Sequence, residues 1–165
     1  MSIDTLEDLY LEQLKDIYSA SQQVLDITRT MANAATDPYL TKALISGADG
    51  IQGGIIAIEK ISKGHDERLE GGTCRGLEAL VKEAYTHVIE KVFCENAVRD
   101  AMIIAQYQRL VHYSIAGYGY IAAFADRLEL DRDIYLLKEC LDVSHKDDRV
   151  MTRLAAGRTD TEIIA

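Results

Sequence analysis

The sequence predicts an all-α protein in which long antiparallel helices pack as a four-helix bundle. Three observations carry that prediction. The only proline in 165 residues, Pro38, stands directly behind Asp37. Asp at the N-cap accepts orphan backbone N–H groups, and proline at the first helical position loses no intrahelical bond, so the pair marks a helix start. On both sides of that joint, apolar residues recur at helical spacing over long stretches with no second proline to break them. Finally, 165 residues at 48% hydrophobic content suit one well-buried domain and are too few for two comfortable ones.

Helix 1 is predicted from Ser2 or Asp4 to Ala34, with Leu6, Tyr10, Leu14, Ile17, Leu25 and Met31 at helical spacing and acidic residues in its first turn, where the dipole favours them. Helix 2 starts at Pro38 and ends before Gly64, carrying Leu40, Leu44, Ile51, Ile55 and Ile58. The segment HDERLEGGT that follows has the charges and paired glycines of a solvated crossover. A shorter amphipathic helix from Cys74 to Val92 comes next, then long helices from Asn96 to Leu128 and from Asp131 to Ala156. Residues 1–157 read as the bundle and 158–165 as a C-terminal tail. Two long helices, a crossover with a short helix, then two more long helices is ferritin-like connectivity. Leu14–Ala20 and Leu110–Ala116 echo each other weakly, as two related hairpins facing across a bundle would.

A net charge of −9 argues against a nucleic-acid partner, whose phosphates need a basic footprint. No stretch is apolar and long enough to span a bilayer, and the acidic N-terminus MSIDTLEDLYLEQ does not read as a signal peptide. Cys74, Cys94 and Cys140 are odd in number and lack a CxxC pair, which reads as three unpaired buried thiols in a reducing cytoplasm.

A dinuclear iron or manganese bundle needs inward oxygen ligands from four helices, commonly a Glu from two and Glu-x-x-His from the other two. Neither helix 2 nor helix 5 carries Glu-x-x-His. The nearest spacings are Asp49-x-x-Gln52 and Asp142-x-x-His145, and the latter reads as a solvated face.

The segments LEDLYLEQLKDIYSASQQVL, VRDAMIIAQYQRLVHYSIAGYG and LLKECL…DD resemble the YciE/YciF family of stress-induced, ferritin-like bacterial proteins, in the right order over residues 4 to 155. The resemblance implies a di-iron type of fold, frequent dimerisation, and a ferroxidase-like or oxidant-protective role inferred for members. Carried over by position, it also implies a damaged metal site. Ser21 stands where helix 1 of the family has Glu, and Asp49 and Gln52 stand for the helix 2 pair. Val111-His112-Tyr113-Ser114 replaces a Glu-His-Tyr-Glu run, and Ser144 replaces a Glu of helix 5, while Asp148 remains. Asp49, His112 and Asp148 are then the residual metal candidates; no cofactor is predicted, and iron or manganese is what such a remnant would take. Burying six carboxylates without metal is costly, so neutral Ser, Val and Gln are what a repacked centre would contain.

Gly47, Gly50, Gly53 and Gly54 crowd the interior of helix 2, each costing about 1 kcal/mol against Ala. With Ala43, Ser46 and Ala57 they form a small-residue stripe that predicts close backbone approach by another helix, inside the bundle or across a homodimer. Tyr107, Tyr113, Tyr118 and Tyr120, with Tyr10 and Tyr18, read as core and interface rings whose hydroxyls reach water or carboxylates such as Asp16. His112 reads as a satisfied, partly buried histidine, and His65 and His87 as lacking ligand-like partners. The function these features favour is a non-catalytic, stress-associated structural or interaction protein, homodimeric and cytoplasmic. A divergent ferroxidase or peroxide-handling protein is the alternative, and a small ligand in the vacated bundle interior a third possibility.

Overall fold

The computed structural model describes residues 3–70 and 72–158, and every regular element among them is helical. Helix α1 spans Leu6–Ala34 and opens with a capping box: Asp8 N donates to Thr5 Oγ1 at 3.0 Å while Thr5 N donates to Asp8 Oδ2 at 2.9 Å. It therefore starts later than the predicted Ser2 or Asp4, at the cap that Thr5 and Asp8 form. Helix α2, Pro38–Gly64, begins where Asp37 and Pro38 place it, with Asp37 accepting from Tyr39 N and Leu40 N. The joint before it is tied to helix α4: Asp100 accepts from Thr36 N, Thr36 Oγ1 and Asp37 N at 2.6–2.9 Å.

Helix α3 is Arg75–Tyr85, with Cys74 as its N-cap, and the predicted continuation to Val92 becomes a single π-helical turn over Thr86–Glu90. Helix α4 runs Asn96–Arg127 and helix α5 Asp131–Ala155, each within a residue of expectation. Glu129, at φ 57°, turns the chain between them. Of the predicted tail, residues 159–165 lie outside the described residues.

Helix α1 packs against α2 and α4, and α5 packs against α4 and α2, so the four long helices close a ring; α3 covers α1 and α4 from outside. Tyr10, Leu14, Ile17, Met31, Leu44, Ile58, Ile103, Leu110, Ile121 and Leu137 fill the ring, each essentially inaccessible to water. Burial of each such aliphatic side chain stabilises by roughly 1.5–3 kcal/mol. The two echoing segments do face each other: Tyr113 reaches Asp16 at 3.2 Å, and Ile17 packs over Gly117 where a Cβ would lie 2.5 Å from it.

Candidate functional site

Halfway along the ring, all four long helices contribute short or polar side chains to one place. α1 supplies Ser21, α2 Gly50 and Gly54, α4 Ser114 and Tyr118, and α5 Cys140, Ser144 and Asp147. The space left between them is a cavity of about 20 Å³, room for about one water molecule and no organic ligand.

The serines are largely engaged within their own helices. Ser114 Oγ donates to Leu110 O at 3.4 Å and Ser144 Oγ to Cys140 O at 3.0 Å, the back-bonding to residue i−4 that helical serines favour. Ser21 Oγ lies 3.4 Å from Tyr118 Oη. The glycines of α2 work as seats. A Cβ at Gly47 would stand 2.1 Å from Tyr107 Oη, and one at Gly54 would stand 2.6 Å from Tyr118 Oη. Gly50 likewise accommodates Val143, whereas Gly53 faces open space. The small-residue stripe thus admits side-chain tips from α4 and α5, where close backbone approach was the expectation. Large rings on α4 need depth, and only a missing Cβ on the facing helix provides it.

Asp147 is the one carboxylate turned into this region. Tyr107 Oη donates to its Oδ2 at 3.3 Å. Burial pushes its pKa up to about 6, against the opposing pull of the Tyr107 hydrogen bond and of Lys146. Burial also raises the Cys140 thiol to about 11 and holds Tyr118 and Tyr107 above the ordinary phenol value.

The metal candidates singled out from sequence lie elsewhere. Asp49 is exposed on α2. His112 and Asp148 meet at 2.9 Å across the outer edge of α4 and α5, where Gln108 Nε2 also donates to Asp148 Oδ1 (3.0 Å) and Thr152 Oγ1 (2.9 Å). The His112 side chain is 62% exposed, so it is not the partly buried histidine expected. Asp142 and His145 are exposed, as a solvated face would be. Among the described residues no three His, Cys, Asp or Glu side chains gather as a metal would require. Four neutral hydroxyls and one carboxylate are not the carboxylate-rich donor set of a dinuclear centre.

Sequence reasoning missed Asp147, although a signal existed. Asp133, Leu137, Cys140, Ser144, Asp147 and Met151 recur at three-to-four spacing, and from Leu137 and Cys140 the inward stripe reaches Asp147 and passes by Asp148. It also missed a second polar cluster at one end of the ring. There Tyr10 Oη donates to Asp133 Oδ2 at 2.9 Å, His65 Nε2 lies 2.6 Å from the same oxygen, and the Tyr10 and His65 rings meet edge-on at 5.8 Å. His65 and Asp133 are 68 residues apart, so no local spacing announces the pair. The tyrosine hydroxyls do reach polar partners as expected, Tyr18 to Glu59, Tyr113 to Asp16 and Tyr120 to Gln13. Cys74 and Cys140 are buried free thiols, but Cys94 is exposed.

No helix among the described residues is long and apolar enough to cross a membrane. The model of the domain of unknown function DUF892 matches residues 5–164. Protein YciF of Escherichia coli K12 is 33% identical over 161 residues, covering 97% of this chain and 96% of YciF. The crystal structure of the E. coli stress protein YciF superposes with a TM-score of 0.88 at 32% identity, over 94% of this chain and 97% of that one. YcfI of Rhodopseudomonas palustris, for which a structural role has been suggested, superposes with a TM-score of 0.86 at 31% identity, over 92% and 95% of the two chains. The long matched span and the shared all-helical fold make this chain a member of the DUF892 family, the YciE/YciF family of bacterial proteins.

Proposed function

We propose that this chain is a stress-associated, ferritin-like four-helix bundle that holds no dinuclear metal centre and acts as a structural or interaction protein, as a cytoplasmic homodimer. One observation carries the reading: where four helices should present carboxylates inward, they present Ser21, Ser114, Ser144 and glycine seats filled by tyrosine hydroxyls. Ser114 and Ser144 are bonded within their own helices and Ser21 to Tyr118, and with Asp147 the one carboxylate among the residues lining the cavity, the core is satisfied without an ion. The stress association rests on kinship with YciF. Exposed Ile45, Ile56, Val143 and Tyr135 on α2 and α5 support a self-association surface.

The test is metal content by inductively coupled plasma mass spectrometry on protein produced with abundant iron and manganese, alongside sedimentation equilibrium. Only trace metal in a dimer supports the reading; near two ions per chain overturns it. The competing reading, a divergent ferroxidase or peroxide-handling protein, draws on the His112–Asp148 pair. It requires bound iron or manganese that His112→Ala releases.

A further inference from the structure

A second chemical cluster lies between α1, α3 and α4, away from the glycine seats. Cys74, the N-cap of α3, is held in place by its backbone: its N–H donates to Ser19 Oγ at 3.2 Å, and Gln23 Nε2 donates to its carbonyl at 3.4 Å. Its Sγ lies 2.8 Å from Tyr113 Oη, and the Tyr113 hydroxyl donates to Asp16 Oδ2 at 3.2 Å. With the phenol proton directed at the carboxylate, the thiol S–H is left to point at the phenol oxygen. Tyrosine loses its proton when it loses an electron, so its one-electron oxidation is easiest beside a carboxylate. Reduction of the resulting phenoxyl radical needs a hydrogen-atom donor in contact with that same oxygen. Tyr113 has both.

The other tyrosines near thiols or along α4 lack one part or the other. Tyr118 and Cys140 line the same cavity, but the Tyr118 hydroxyl is hydrogen-bonded to the neutral Ser21 and, among the described residues, to no carboxylate. Tyr120 donates to the neutral amide oxygen of Gln13 at 2.6 Å. Tyr10 and Tyr18 have carboxylate partners, Asp133 and Glu59, but no thiol hydrogen bond among the described residues.

We propose that Tyr113 and Cys74 form a hydrogen-atom relay through which this chain intercepts small one-electron oxidants of the carbonate- or peroxyl-radical class. The oxidant takes one electron from Tyr113, which is half-buried and within reach of the surface, and the phenol proton passes to Asp16. The Cys74 S–H bond then breaks, and its hydrogen atom forms the O–H bond of Tyr113 again. Asp16 returns its proton to water, so the sum is loss of one electron and one proton from Cys74, which ends as a thiyl radical. Two-electron peroxide chemistry fits this thiol poorly, because burial raises the Cys74 pKa and peroxide attack needs the thiolate. Hydrogen-atom donation needs the protonated form, and that is the form burial keeps.

The test is photochemical oxidation by a ruthenium polypyridyl sensitiser with persulfate, in the full chain carrying Cys94→Ser to remove the exposed thiol. Tyrosyl radical is followed by transient absorption and electron paramagnetic resonance. Cys74→Ser, which keeps a hydrogen-bonding group but cannot donate a hydrogen atom, is expected to lengthen the tyrosyl lifetime several-fold, with circular dichroism confirming the fold. Tyr113→Phe is expected to abolish spin trapping of a thiyl radical at Cys74, located by mass spectrometry of the adduct. Cys140→Ala is expected to change neither signal. An unaltered tyrosyl lifetime in Cys74→Ser, or an undiminished Cys74 adduct in Tyr113→Phe, overturns the relay.

Discussion

Two aspartates on α5, fourteen residues apart, one buried and one half-buried, both receive a tyrosine hydroxyl, yet they sit in different company. Asp133 lies in the first turn of α5, where the helix dipole favours a negative charge, and has both Tyr10 and His65 on one oxygen at 2.9 and 2.6 Å. Asp147 lies in mid-helix with a single, longer bond from Tyr107 at 3.3 Å, and burial pushes its pKa up to about 6. The lesson is that depth alone does not decide whether a carboxylate is a tie or a burden. The number of donors facing it and its place along the helix decide that.

The largest test of this contrast substitutes asparagine at each site. Asp133→Asn weakens the two hydrogen bonds that Tyr10 and His65 make to one carboxylate oxygen, and is expected to destabilise by about 2–3 kcal/mol in urea unfolding at neutral pH. Asp147→Asn is expected to have the opposite sign there. Because the folded Asp147 pKa lies above the ordinary 3.8, the native state holds its proton more tightly than the unfolded chain does. Its contribution is full below about pH 4 and is lost as pH rises through about 6, a change on the order of 2 kcal/mol once partial solvent access is allowed for. Asp147→Asn keeps the neutral form, so it should match the parent near pH 4 and exceed its stability near pH 7 by about that amount. Equal effects of the two substitutions at neutral pH would break the comparison.

Alanine at the glycine seats sharpens it further. At Gly47 a methyl group would meet Tyr107 Oη at 2.1 Å and Cζ at 3.1 Å, and the ring is wholly buried with no room to swing. Gly47→Ala should therefore cost about 1–3 kcal/mol and displace the Tyr107 hydroxyl that donates to Asp147. Gly53→Ala meets nothing within 4 Å and should stabilise by up to about 1 kcal/mol through helix propensity alone. Thermal unfolding of the pair separates seat from surface, and destabilisation by both would refute the assignment. The smallest effect belongs to the outer His112–Asp148 pair. His112→Ala should shift stability by less than about 0.5 kcal/mol, since an exposed pair is screened and mobile, and a larger loss would mean the pair is not peripheral.

Much of this molecule was legible in its sequence. Asp37 and Pro38 start α2 where they say they do, because capping and a missing donor act within three residues. The length and number of helices follow from apolar spacing, and Ser21, Ser114 and Ser144 were visible as residues that meet at mid-bundle. The capping box at Thr5 and Asp8 is also local, spanning three residues. What could not be read locally is which partner each side chain meets. Asp147 and Asp148 are neighbours in sequence but about 100° apart around a helix, so one enters the core and the other joins His112 outside.

The amino-acid sequence by itself determined the helices, their order, the family and the absence of an inward carboxylate from Ser21, Ser114 and Ser144. Each of these rests on residue type or on spacing within a few turns. Tertiary structure alone decided that glycines on α2 receive tyrosine hydroxyls from α4, that His65 meets Asp133, and that Cys74 meets Tyr113 beside Asp16. Those contacts join residues 39 to 68 positions apart, and across the larger span of 97 from Asp16 to Tyr113. Only the packing of whole helices, driven by burial of their apolar faces, sets the rotation and height at which such distant groups come into reach.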